Sequence, residues 1–372
     1  MKKDLSVQCT RLLACFFVIC IHVYPPIFYD GSYDVSRLVL ASYVADAVAL
    51  FWFMMGFFLF RNESYLGLWK KTCKNIILPS MMFTAAMFYF SGMMFGKEAF
   101  WVSVFHPISD YVELWYGLRS WNSIVENTGH LWYIYVYLLL ILIFPIMKCF
   151  VDWFDEDDGR TRGVIIISFA VLIFNDISGN SFGNFSHHSI NALFPAAIQV
   201  MLGHVFYKNK DRFLNRKSAV IGFATFIVIG LVRSAIQYYI YWDNRSNFIL
   251  YWFTSLGTLD AVVIIMSVTA VYNSVLKGNK ILDWIITILS PYTFGIYLIH
   301  QPIIRLTGDC GFQECLKSVL NSICHGEGAI SETAYTVVLS IIVLVTSWIV
   351  LVALRYIVNG ARGVKLAMGI SS

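Results

Sequence analysis

Arg11-Leu-Leu-Ala-Cys-Phe-Phe-Val-Ile-Cys-Ile-His22 decides how this chain is read. Ten apolar residues part a cation from an imidazole, and the run stops at Pro25-Pro26. Eleven helical positions make about three turns and drift by only about 20°, so Arg11 and His22 share one face about 16 Å apart. Polar groups inside a membrane segment are costly, and they face a protein interior or a wet cavity. Taken singly, Arg11 reads as a snorkelling arginine and His22 as a packing histidine. The pair on one face reads as a functional site.

Outward from that stretch, composition agrees. The 372 residues are 58% hydrophobic, 17% aromatic and only 13% charged, with a mean hydropathy of +0.67. No ordinary soluble domain looks like this, and the expected fold class is an all-α integral membrane protein. Lys2 and Lys3 precede the first apolar run as in a secretory signal, but that run holds Arg11 and His22, and no small-x-small cleavage site follows. It is expected to be retained as the first span. Apolar runs of spanning length fall roughly at 7–27, 39–60, 76–95, 130–149, 163–178, 189–207, 218–240, 248–272, 287–306 and 334–357, ten in all. The stretch before the fourth contains WVSVF and YVELWYGL and is expected to include an interfacial helix. Gaps between spans are too short for an independent unit, so 1–372 is expected to form a single transmembrane domain.

Of the 27 lysines and arginines, three (Arg11, Arg233, Arg305) fall within spans. Only five (Arg37, Lys97, Arg119, Arg245, Lys317) fall in the loops opposite the amino terminus, leaving nineteen on its side. The positive-inside rule then places both termini in the cytoplasm. The acidic run at Asp152 and Asp155 to Asp158 reads as a solvated face, and no residue spacing suggests a metal site. Eight cysteines are scattered. If their loop lies outside the cytoplasm, Cys310, Cys315 and Cys324 can form one disulfide and leave one thiol.

Sorting the polar residues by depth gives two levels. Arg11, Lys71 and Lys74 lie towards the inside, where cations suit a phosphate-bearing ligand. His22, Asp46, His130, His300 and Arg305 lie towards the outside, with Arg233 about two-thirds of the way out. A histidine oriented by a carboxylate is the ordinary form of a general base, and His22 with Asp46 is one such pairing by depth. Elsewhere, Gly56 in FWFMMGFFLF permits close helix approach. Trp132 fits an interfacial anchor, and SPYTFGIYLIHQP gathers Gly295, Tyr297 and His300 ahead of Pro302.

These stretches together resemble the bacterial acyltransferase family 3, multispan membrane O-acyltransferases of extracytoplasmic glycans. The resemblance rests on Arg11 and His22 ten residues apart, FWFMMGF, GHLWYI and SPYTFGIYLIHQP, in that order over about 300 residues. It departs in two places: Met55 stands where the family has serine before the glycine, and Lys71 with Lys74 stand for an arginine pair. Lysine keeps the charge but loses the bidentate fork.

The resemblance implies transfer of an acyl group, acetyl or succinyl, from cytoplasmic acyl-CoA to a hydroxyl of an O-antigen, capsule or exopolysaccharide outside a bacterial inner membrane. It makes His22 the essential imidazole, Arg11 its partner, and Lys71 and Lys74 the donor-binding cations. His130, Trp132, Tyr297 and His300 fill further motif positions, while Arg233, Arg305 or Tyr297 can supply oxyanion donors. Besides the bilayer, the expected partners are acyl-CoA and a glycan or lipid-linked saccharide; no resident cofactor and no nucleic acid is expected. The rival readings are a transporter or flippase for a lipid-linked glycan and a non-catalytic partner of a polysaccharide synthesis complex. The inverted repeats that mark transporters are not evident.

Overall fold

The computed structural model describes residues 4–23, 28–29, 32–33, 35–45, 47–62, 64–94, 129–179, 188–213, 215–240, 254–326 and 328–367. Nearly all of them are helical. In chain order the helices are α1 (Leu5–Val23), α2 (Val35–Val44), α3 (Ala47–Leu59), α4 (Tyr65–Thr72), α5 (Leu78–Met94), α6 (Trp132–Leu142), α7 (Phe144–Asp155) and α8 (Asp158–Gly179). There follow α9 (His188–Lys208), α10 (Arg216–Ile240), α11 (Thr254–Val271), α12 (Lys280–Leu289), α13 (Thr293–Asp309), α14 (Phe312–Ile323) and α15 (Ala329–Ala367). Among the described residues the one strand pairing joins Phe28–Tyr29 to Ser32–Tyr33, antiparallel. The fold is therefore all-α.

Every expected apolar segment coincides with helix wherever it is described. Among the described residues, six helical stretches are both long and apolar enough to cross a membrane: Leu5–Val23, Val35–Leu59, Arg216–Tyr239, Ser255–Leu276, Lys280–Asp309 and Ala329–Val358. Counting the bent pair α6 and α7 as one span gives a seventh. The bend there is 64°. Pro145 stands in the first turn of α7, where its missing N–H costs nothing, while its ring prevents α6 from running on. The other expected segments, at α5, α8 and α9, are helices without reaching that combination of length and hydropathy.

α1 is the axis of the bundle and packs against α3, α11, α13 and α15. Its buried residues Cys15, Ile19 and Val23 join Ile296, Ile303, Tyr335, Leu339 and Val343. Its Val18 turns towards Ala47, Leu131, Ile134, Tyr297 and Leu298. The tightest crossing is that of α3 with α9. A β-carbon at Gly56 would overlap the Val200 carbonyl oxygen, and one at Gly203 would overlap that of Phe53. Residues three apart on each helix thus meet backbone to backbone, the small-residue contact by which helices associate where no hydrophobic force drives them together.

Two sequence expectations change in detail. The stretch bearing the late cysteines is largely helix α14, and Cys310, Cys315 and Cys324 are unbonded thiols. The run 39–60 falls on two helices, α2 ending at Val44 and α3 beginning at Ala47, which together count as one stretch long enough to span, and Asp46 lies outside the described residues. The interfacial helix expected before α6 falls outside the described residues.

Candidate active site at the end of the first helix

The apolar periodicity of α1 carries His22 to its last turn. Two other elements bring imidazoles to meet it. A 3₁₀ turn, Gly129–Leu131, precedes α6 and presents His130. α13, entered through Ser290-Pro291-Tyr292, presents His300 two residues before Pro302. The ring centroids of His22 and His300 are 5.2 Å apart, those of His130 and His300 4.8 Å, and those of His22 and His130 6.5 Å. His130 and His300 are buried, while His22 keeps partial exposure.

Tyr297 ties the cluster together. Its hydroxyl donates to the His130 carbonyl at 2.5 Å, and its own carbonyl lies 2.7 Å from His300 Nδ1. A carbonyl only accepts, so Nδ1 carries the hydrogen and the neutral ring keeps a lone pair on Nε2. That Nε2 is buried without a hydrogen bond among the described residues. The ring nitrogens of His130 likewise make no hydrogen bond of good geometry, although the Tyr297 and Leu298 backbone lies beside them. A buried polar atom left unpaired costs about 1–3 kcal/mol. Three imidazoles at one place, two of them with such atoms, are suited to moving a proton. Among the described residues, no group of three histidine, cysteine or carboxylate side chains is placed to hold a metal ion.

From the cluster an aromatic path runs along α6 towards Arg11. Tyr133 lies 5.8 Å from Tyr297 ring to ring and stacks on Trp52 at 4.0 Å. Tyr133 and Arg11 interact electrostatically, Tyr137 lies beside Tyr133 one turn further on, and Tyr137 faces the buried Thr72. Thr72 stands between the exposed Lys71 and Lys74. Here the helix opens into a π-helical turn, Cys73–Ile77, a feature often found at functional sites. Leu66, Trp69, Lys70, Cys73, Lys74 and Leu78 line a shallow surface depression beside it.

The structure thus brings His22, His130, Tyr297 and His300 together and links them through Tyr133 to Arg11 and the lysine-bearing turn. Other expected residues lie elsewhere. Trp132 packs against the cluster of Trp52, Val136 and Leu140. Arg305 pairs with Asp309 one turn along at 3.7 Å. Arg233 is 0% exposed, ion-paired to Asp260 at 3.1 Å, and donates from Nη1 to the Ser42 carbonyl at 2.8 Å. Asp46 lies outside the described residues. Tyr133 and Tyr137 are the groups that sequence reading passed over. Their signal was i, i+4 spacing in WYIYVY, which puts both hydroxyls on one face of α6.

A bundle of apolar helices, with Arg11 and His22 on the central one and His130 and His300 brought to it by its neighbours, describes a multi-pass membrane protein with a histidine cluster in its interior. Comparison with family models makes the assignment specific: the acyltransferase domain of acyltransferase family 3 matches residues 4–352. The chain belongs to that family and is an acyltransferase. Comparisons with curated proteins and with solved structures returned no match.

Proposed function

We propose that the protein transfers an acyl group, acetyl or succinyl, from cytoplasmic acyl-CoA to a hydroxyl of an extracytoplasmic carbohydrate such as O-antigen, capsule or exopolysaccharide. The observation that carries this reading is the placement of His22 among His130, Tyr297 and His300, on the same helix as Arg11. In this reading the described helices and the remaining apolar segments make ten spans of a bacterial inner membrane, with both termini in the cytoplasm. The donor's phosphates rest near Arg11, Lys71 and Lys74, and its pantetheine arm follows the aromatic path of Tyr137, Tyr133 and Tyr297.

At the far end the acceptor hydroxyl lies against His22. His22 takes its proton as the oxygen attacks the thioester carbonyl, so the oxygen–hydrogen bond breaks as the carbon–oxygen bond forms. The carbon–sulfur bond then breaks, and the imidazolium returns the proton to the departing thiolate. A positioned base of this kind contributes on the order of 10² to 10⁴ in rate.

The test is transfer from radiolabelled acetyl-CoA or succinyl-CoA, supplied to the cytoplasmic face of oriented vesicles, to glycan on the opposite face. Label is expected with the wild-type protein and at most about a hundredth of it with His22→Ala at equal membrane insertion. A fully active His22→Ala protein would sink the proposal. Glycan movement without acyl product would favour a transporter instead.

A further inference from the structure

We infer that His300 is the positioning residue for His22, a neutral imidazole that takes the place a carboxylate usually holds behind a catalytic histidine. The inference rests on the reading of His22 as the base. Three observations carry it. The His300 ring is 0% exposed. Its tautomer is fixed, because Nδ1 faces the Tyr297 carbonyl at 2.7 Å and so bears the hydrogen. Its Nε2 is consequently an acceptor, and it is buried without a hydrogen bond among the described residues. An unpaired acceptor of this kind costs about 1–3 kcal/mol, which a neighbouring N–H turned towards it would recover.

His22 is the group that can be that donor. Its ring centroid is 5.2 Å from that of His300 and its plane is inclined by 39°, close enough for a hydrogen bond directly or through one water. His130 is less well placed to orient it. The His22 to His130 distance is 6.5 Å, and among the described residues no hydrogen bond of good geometry fixes the His130 ring. A neutral His22 offers one nitrogen to the substrate and one N–H to His300 Nε2, which sets its tautomer. When His22 accepts the hydroxyl proton, both its nitrogens bear hydrogens. One holds the transferred proton, and the other continues to donate to His300. His300 itself neither gains nor loses a proton. The chain of bonds runs from His22 N–H to His300 Nε2, and from His300 Nδ1–H to the Tyr297 carbonyl. In the serine-protease triad an aspartate does the same work of orienting the base and stabilising its charged form.

The two amide side chains discriminate this role from packing. The amide of glutamine reaches the position of Nε2, whereas that of asparagine reaches only that of Nδ1. Acyl transfer is measured in vesicles for wild type, His300→Gln, His300→Asn, His300→Phe and His22→Ala, with the donor concentration varied. His300→Gln is expected to keep kcat within about tenfold of wild type, and His300→Asn and His300→Phe to lose on the order of 10²-fold. Donor KM stays within about twofold in all three. Because the two histidines act as one unit, the double variant His22→Ala/His300→Asn should be no slower than His22→Ala alone.

Equal loss in His300→Gln and His300→Asn would overturn the inference, as would a wild-type kcat in His300→Asn or losses that add in the double variant. If His300→Phe does not insert, the comparison of Gln with Asn still decides. An active His22→Ala protein would remove the base itself. An inactive His22→Ala protein beside an active His300→Asn protein would remove only the positioning role.

Discussion

Two of the places where this bundle holds polar side chains away from solvent are built on opposite principles. Around Arg233 the charges are matched: Asp260 lies across at 3.1 Å, Ser42 offers its carbonyl, and Ser234 bonds the Ser42 hydroxyl at 2.9 Å. Nearby, Gln199 donates to Thr258 at 2.9 Å. Around His22 no charge partner appears among the described residues, and ring nitrogens of His130 and His300 are left over. The first arrangement joins α2, α10 and α11 through a compensated ion pair. The second holds back the atoms that a reaction needs. Burial and polarity alone did not separate the two in the sequence; pairing does.

The sharpest way to break this contrast is to unpair the matched cluster. Arg233→Met leaves Asp260 buried without its cation, at an expected cost of about 3–5 kcal/mol. Thermal melting of the detergent-solubilised protein should show a large fall in Tm, or no folded protein at all. Arg233→Met/Asp260→Leu should recover most of that stability together with acyl transfer. A double variant that folds yet has lost transfer would give Arg233 a part in the reaction and dissolve the contrast.

A smaller effect is expected at the edge of the reactive cluster. Tyr297→Phe removes the bond to the His130 carbonyl but keeps the carbonyl that holds His300. It should cost about 1 kcal/mol in stability. It should also lower acyl transfer less than His300→Asn does, which paired melting and rate measurements would check.

The smallest effect lies outside the bundle, where Asp4 meets Lys210 at 2.7 Å just before α1 begins. Burial pushes the Asp4 carboxyl up, but its bonds to Lys210 and Ser6 outweigh that and leave it below the usual carboxylate value of 3.8. Burial likewise pulls Lys210 down, while the bond to Asp4 leaves it above its usual 10.5. The Asp4 contribution is therefore complete above pH 3.8 and lost as pH falls through the lowered value. That of Lys210 is complete below pH 10.5 and lost as pH rises through the raised one. Between these limits Asp4→Asn should cost no more than about 1 kcal/mol, and the difference from wild type should vanish in acid. A constant difference down to pH 2 would mean that the pair contributes through packing instead.

Much of the architecture was legible because hydropathy and helix period act locally. The segments at α1, α10 and α15 need no partner to be recognised. What the chain did not disclose was relative placement. GHLWYI and SPYTFGIYLIHQP identify His130 and His300, but nothing in either says that the rings come within 4.8 Å. Arg233 and Asp260 are 27 positions apart on neighbouring helices, and depth alone grouped Arg233 with the site residues. Gly56 was readable as a close approach, yet its counterpart Gly203 was not, since a reciprocal contact depends on how two helices cross.

That crossing has a mechanical corollary. Where two main chains already touch, nothing remains to compress and there is no side chain to swing aside. The joint at Gly56 and Gly203 therefore resembles the pin of a pair of scissors. A methyl group added at either glycine would have to prise the two blades apart along their length.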